Sequence, residues 1–166
     1  MKNKISSLLI DEQPDQRILF YLALDLLKVN RACVCHDNSF DALAYLKQHT
    51  GFVPDYIFMS SDVCTSHAAV FIKHMRKIER LNQVPVILVA AATGVYNMAE
   101  ISNAGFTDGM VKQRDVFLLS DALKMIFEKS YQLITPAEEP CTINNIAKEV
   151  MQNTQALPEA PRRLSA

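Results

Sequence analysis

Apolar residues fall along this chain in short unbroken runs and in stripes of helical period, and the two patterns alternate from the N-terminus to about residue 127. The runs Ile5–Ile10, Arg31–Cys35, Tyr56–Met59, Pro85–Ala91 and Thr107–Val111 are too short for helices. Arg31 and Asp108 apart, they are largely apolar or small, as expected of strands covered on both faces. Between them, spacings of three and four residues predict helices. Pro14 suits the first turn of one whose buried face would be Ile18, Leu19, Leu22 and Leu26. Ser39 would cap a second helix, burying Phe40, Leu43, Ala44 and Leu46. Val70, Phe71, Met75 and Ile78 form the next stripe, with Lys73, Arg76, Lys77 and Arg80 turned toward water. A short helix around Met98, Ile101 and Ala104 would end at Gly105, and Asp115 would cap a last one carrying Leu118, Leu119, Ala122, Leu123 and Ile126.

Five strands alternating with five helices predict an α/β fold: a parallel sheet between two helical layers, with right-handed crossovers, in a doubly wound three-layer sandwich. The predicted domain covers residues 4–127. From residue 128 to 166 the composition shifts, and Pro136, Pro140, Pro158 and Pro161 interrupt a polar tail. Within it, residues 142–153 read as an amphipathic helix with Ile143, Ile146, Ala147, Val150 and Met151 on one face. Such a helix either packs on its own domain or docks in a partner's groove.

Composition narrows the function. A chain of 166 residues with 49% hydrophobic and 21% charged residues has enough apolar material for one core. Its formal net charge of -1 and lack of Lys/Arg runs leave no field for a nucleic-acid backbone. No apolar run approaches the roughly 20 residues that span a bilayer, and the run after Met1-Lys2-Asn3-Lys4 is too short for a signal-peptide core, so a cytoplasmic location without membrane attachment is expected. The four cysteines, Cys33, Cys35, Cys64 and Cys141, lack CxxC spacing, and Cys33 and Cys35 alternate on a strand where small buried thiols are common.

In an open parallel sheet, side chains at the carboxyl ends of different strands converge on one crevice. Those ends offer Asp11 and Glu12, then Ser60, then Ala90, then Lys112. Here the chain resembles the receiver domain of two-component response regulators. The resemblance rests on Leu8-Leu9-Ile10-Asp11-Glu12, Pro54-Asp55-Tyr56-Ile57-Phe58, Val84-Pro85-Val86-Ile87, Ala104-Gly105 and Val111-Lys112, in order and at family spacing. It implies a CheY-like, flavodoxin-like sheet of order 2-1-3-4-5. It also implies that the acidic pair holds Mg²⁺, that an aspartate ending the third strand accepts a phosphoryl group, and that a hydroxyl on the fourth strand and a lysine after the fifth bind its oxygens.

Asp11, Glu12 and Lys112 match that pattern, Glu12 standing where Asp is more usual. Ser60 falls at the acceptor position, Ala90 at the hydroxyl position, Gly109 at the position of an aromatic switch residue, and Gln113 at that of a proline. A serine hydroxyl must lose its proton to a positioned base before it can attack, whereas a carboxylate is already ionised. With serine in place, Asp11, Glu12 and Lys112 sum to -1, so Mg²⁺ should bind weakly at most, and Lys112 can pair with Asp11 or Glu12 instead. The expectation is a degenerate receiver with no catalytic residues and no obligatory cofactor.

Asp62 lies two residues past Ser60 and offers an alternative acceptor, displaced by about 6.6 Å along an extended chain. A nucleotide-binding enzyme of flavodoxin type is disfavoured, because the loop Asp11-Glu12-Gln13-Pro14-Asp15 is acidic and without glycine. His36, His49, His67 and His74 are scattered, with no ligand pair or triad. What remains is protein interaction. The resemblance implies a docking surface around Met98, Ile101 and Leu119 and, as partner, a signalling protein or histidine-kinase pathway component. The tail helix could cover that surface or exchange between subunits of a homodimer.

Overall fold

The computed structural model describes residues 4–61, 65–91, 97–129 and 131. These belong to one unit, Met1–Leu133. Asp62, Cys64, Cys141 and the predicted tail helix lie outside the described residues.

Strands β1 (Ile5–Ile10), β2 (Asn30–His36), β3 (Tyr56–Ser60), β4 (Val86–Ala90) and β5 (Asp108–Val111) alternate with helices α1 (Pro14–Leu26), α2 (Ser39–Gln48), α3 (Thr65–Arg76), α4 (Met98–Asn103) and α5 (Val116–Glu128). The sheet is parallel, in the order β2-β1-β3-β4-β5, as the sequence predicts. Every residue of β1 is buried, whereas β2, at the sheet edge, is mostly half-buried, and so are its thiols Cys33 and Cys35. Alternation along the strands feeds two cores. Leu8, Ile10, Ile57 and Met59 meet Leu46, Phe71, Met75 and Ile101 on one face. Leu9, Phe58, Ile87 and Met110 meet Phe20, Leu24, Leu119 and Leu123 on the other. No described helix is long and apolar enough to cross a membrane.

Several helices bury a different face from the one their spacing suggested. In α1 the buried residues are Phe20, Ala23 and Leu24. Ile18, Leu22 and Leu26 are 61%, 50% and 47% exposed. Two apolar stripes exist on this helix, and the one with the small Ala23 wins because it admits α5: the Ser120 hydroxyl donates to the Ala23 carbonyl at 3.4 Å. Phe40, Val70 and Leu118 are likewise exposed rather than buried. Asn38, not Ser39, caps α2, its side chain accepting from Asp41 N at 2.8 Å. Asp115 caps α5 as expected, accepting from Phe117 N and Leu118 N.

Gly105 closes α4 with φ +95, and its neighbours complete a Schellman pattern, Gly105 N–H to Ser102 O and Phe106 N–H to Ile101 O. A Cβ there would stand 2.9 Å from Ile72 Cγ2. Lys28 closes α1 in the same way at φ 54, a left-handed conformation that L side chains adopt at a cost.

Candidate functional site

Because all five strands run the same way, their carboxyl ends share one rim of the sheet. Asp11, immediately after β1, is 2% exposed, and Ser60, the last residue of β3, is 1% exposed. The Lys112 N–H still donates to Ala90 O, so the β5 ladder persists one residue past the strand and aims the lysine side chain inward. Its ammonium nitrogen lies 3.0 Å from Asp11 Oδ2 and donates to Ser60 Oγ at 3.3 Å. One cation thus ties together the ends of three strands.

The surroundings fix this arrangement. Asp11 Oδ1 accepts the Gln13 N–H at 2.9 Å, and Asp11 N–H donates to His36 O. Arg17, one turn into α1, donates from Nη1 to the Asp11 carbonyl at 2.7 Å. Ser61 Oγ accepts Ala91 N–H at 3.0 Å, joining the loops after β3 and β4. Beside Lys112 a small crevice runs between α1 and α5, lined by Leu9, Gln16, Phe20, Met110 and Leu119 among others.

The comparisons with known proteins agree on the architecture. No protein-family model and no curated protein matches the sequence. Among solved structures, the chemotaxis response regulator CheY4 of Vibrio cholerae is similar at 17% identity and a TM-score of 0.60, over 74% of this chain and 98% of that one. A response regulator from Hahella chejuensis is similar at 18% identity and 0.62, over 73% and 90%. One from Thermotoga maritima is similar at 16% and 0.59, over 76% and 99%. The chain has the receiver fold.

Within the receiver fold, Asp11, Ser60, Ala90 and Lys112 are brought to one rim, as their places in the sequence suggested. Glu12 is exposed, and it is Asp11 that pairs with Lys112. Ala90 is buried and offers no polar atom there, and Gly109 sits buried in β5 without a side chain. Asp62 lies outside the described residues. The receiver resemblance implies Mg²⁺ at this rim, and the residues present do not fit it. The two Asp11 oxygens are engaged by an ammonium and a backbone N–H, Ser60 is neutral, and among the described residues no three His, Cys, Asp or Glu side chains group as ligands. Mg²⁺ demands octahedral oxygen coordination that the described residues do not offer.

The proposed docking surface needs correction. Ile101 and Leu119 are 6% and 4% exposed, each packed in a core, and only Met98 faces outward, at 49%. Sequence periodicity placed Ile101 and Leu119 correctly on apolar stripes, and such a stripe faces inward. Arg17 and Ser61 were missed: each acts on backbone atoms of another segment, and such a contact leaves no motif.

Proposed function

We propose that this chain is a protein-interaction module of two-component signalling that works without phosphorylation. The observation that carries the reading is the Lys112 ammonium between Asp11 and Ser60, which supplies internally the positive charge that a receiver with an acceptor carboxylate would take from a metal ion. A serine hydroxyl must lose its proton to a positioned base before it can attack, and the Asp11 carboxylate at this rim is paired with the Lys112 ammonium. Output then depends on surface. Met98, Val111, Leu118 and Met125 are exposed on α4, β5 and α5. Ile18, Tyr21, Leu22 and Leu26 form an exposed apolar stripe along α1. Large apolar side chains grouped on one helix face mark contact surfaces. The partner is a signalling protein or histidine-kinase pathway component, or a second copy.

The test is incubation of the full chain with Mg²⁺ and a small phosphodonor, followed by intact mass and partner binding. The expected outcome is no labile adduct and unchanged affinity for the partner. An acid-stable, base-labile phosphoryl group that alters partner binding overturns the reading.

A further inference from the structure

Cys33 and Cys35 lie two residues apart on β2, so both thiols point to the same face of the sheet, toward α1. Their sulfurs are 3.7 Å apart, and both residues are half-buried on an edge strand, within reach from outside. Opposite Cys33 in the β1–β2 register stands Ser7, which is fully buried. Its hydroxyl has no hydrogen-bond partner at ordinary distance among the described residues, and it lies close enough to Cys33 to act on that sulfur. A buried hydroxyl without a partner is costly, and a neutral thiol sulfur accepts poorly.

The Arg17 guanidinium lies close enough to Cys35 to act on it electrostatically.

We propose that Cys33 and Cys35 form a chelating dithiolate for a soft, low-coordinate d¹⁰ cation of the Cu(I) type, with the Ser7 hydroxyl donating to the Cys33 sulfur. Two thiolates at roughly 2.3 Å from one two-coordinate ion stand up to about 4.6 Å apart, so the sulfurs, now 3.7 Å apart, need to open by less than about 1 Å, which side-chain rotation on a strand allows. A disulfide fits less well. Extended residues i and i+2 have Cα atoms about 6.6 Å apart, at the upper limit of the roughly 4.4–6.8 Å that disulfides span. Zinc and iron–sulfur clusters call for four ligands, and no third His, Cys, Asp or Glu joins the pair among the described residues. Binding releases both thiol protons, so two thiolates and Cu(I) carry one negative charge, which the Arg17 guanidinium offsets.

The test uses the full reduced chain under anaerobic conditions, titrated with Cu(I) against a chromophoric Cu(I) chelator, with native mass spectrometry for stoichiometry. A single Cu(I) should bind to the wild type and to the Cys64→Ser/Cys141→Ser variant. Cys33→Ser and Cys35→Ser should each lose affinity by about tenfold or more. Since a serine could disturb β2, phenylarsine oxide provides a second measurement on unmodified protein. Its arsenic exchanges oxygen for two sulfurs with release of one water, and peptide mapping should place that adduct across Cys33 and Cys35. The proposal is overturned if Cu(I) binding survives both β2 substitutions, if it vanishes with Cys64 and Cys141 instead, or if the arsenical adduct forms elsewhere. A Cys33–Cys35 disulfide in protein that binds no Cu(I) when reduced also overturns it.

Discussion

Asp11 is 2% exposed and relies on a single ammonium, and removing one partner of a buried pair leaves the other charge uncompensated. Lys112→Ala should therefore destabilise the fold by about 3 kcal/mol, read from urea unfolding. Asp11→Asn in that background should recover part of the loss, because no charge is then left buried. Ser60→Asp is the complementary experiment. It sets a second carboxylate beside the Lys112 ammonium, 3.3 Å from the present Ser60 oxygen, and should create a melting temperature that rises with millimolar Mg²⁺ where the wild type shows no change. A wild-type rise equal to the variant's would count against the metal-free pocket. At this scale the sequence was informative wherever a residue's role follows from its place at a strand end, as for Asp11, Ser60 and Lys112. It was silent on Arg17, whose work is a hydrogen bond to a backbone carbonyl six residues away.

The choice of buried face on α1 shows where periodicity stops. Ile18, Leu22 and Leu26 satisfy the helical rule as well as Phe20, Ala23 and Leu24 do, and only the fit against α5 selects between them. Element type and strand order depended on run length and alternation, so they were readable. Facing depended on small residues such as Ala23 and on the distant Ser120, so it was not. Because Ile18 and Leu22 are 61% and 50% exposed among the described residues, Ile18→Lys/Leu22→Glu should leave stability within about 0.5 kcal/mol. The same change should weaken partner binding, measured by titration, if α1 is a docking face. The two left-handed helix ends give opposite expectations. Lys28→Gly relieves a strained conformation and should stabilise by about 0.5–1 kcal/mol. Gly105→Ala adds both strain and a clash with Ile72, and should cost about 1–3 kcal/mol, with thermal midpoints as the check.

Across the whole domain, the far end of the sheet is closed by a second polar cluster. Asp108, which opens β5, receives Lys129 Nζ at 2.6 Å and the Tyr131 hydroxyl at 2.9 Å, tying the chain beyond α5 back to the sheet. Burial opposes ionisation of Asp108, yet Lys129, the Gly109 N–H and Tyr131 together hold its pKa below the usual carboxylate value. Burial, and then the hydrogen bond to Asp108, push Tyr131 up. A carboxyl with a depressed folded pKa binds fewer protons folded than unfolded. Its stabilisation is present above about pH 3.9 and is lost as pH falls through the folded value. The phenol works the other way, stabilising below about pH 10 and losing that contribution above it. Asp108→Asn should accordingly be less stable than wild type at neutral pH, and urea midpoints of the two should converge below about pH 4.

The Lys112 bridge also bears on time. A switch that is charged and hydrolysed carries its own clock, set by how long the added group survives. On the proposed reading, a crevice closed by a side chain of the same polypeptide has none, and the duration of any signal would then be governed by how much of the protein is made, how fast it is degraded, and how slowly its partner lets go.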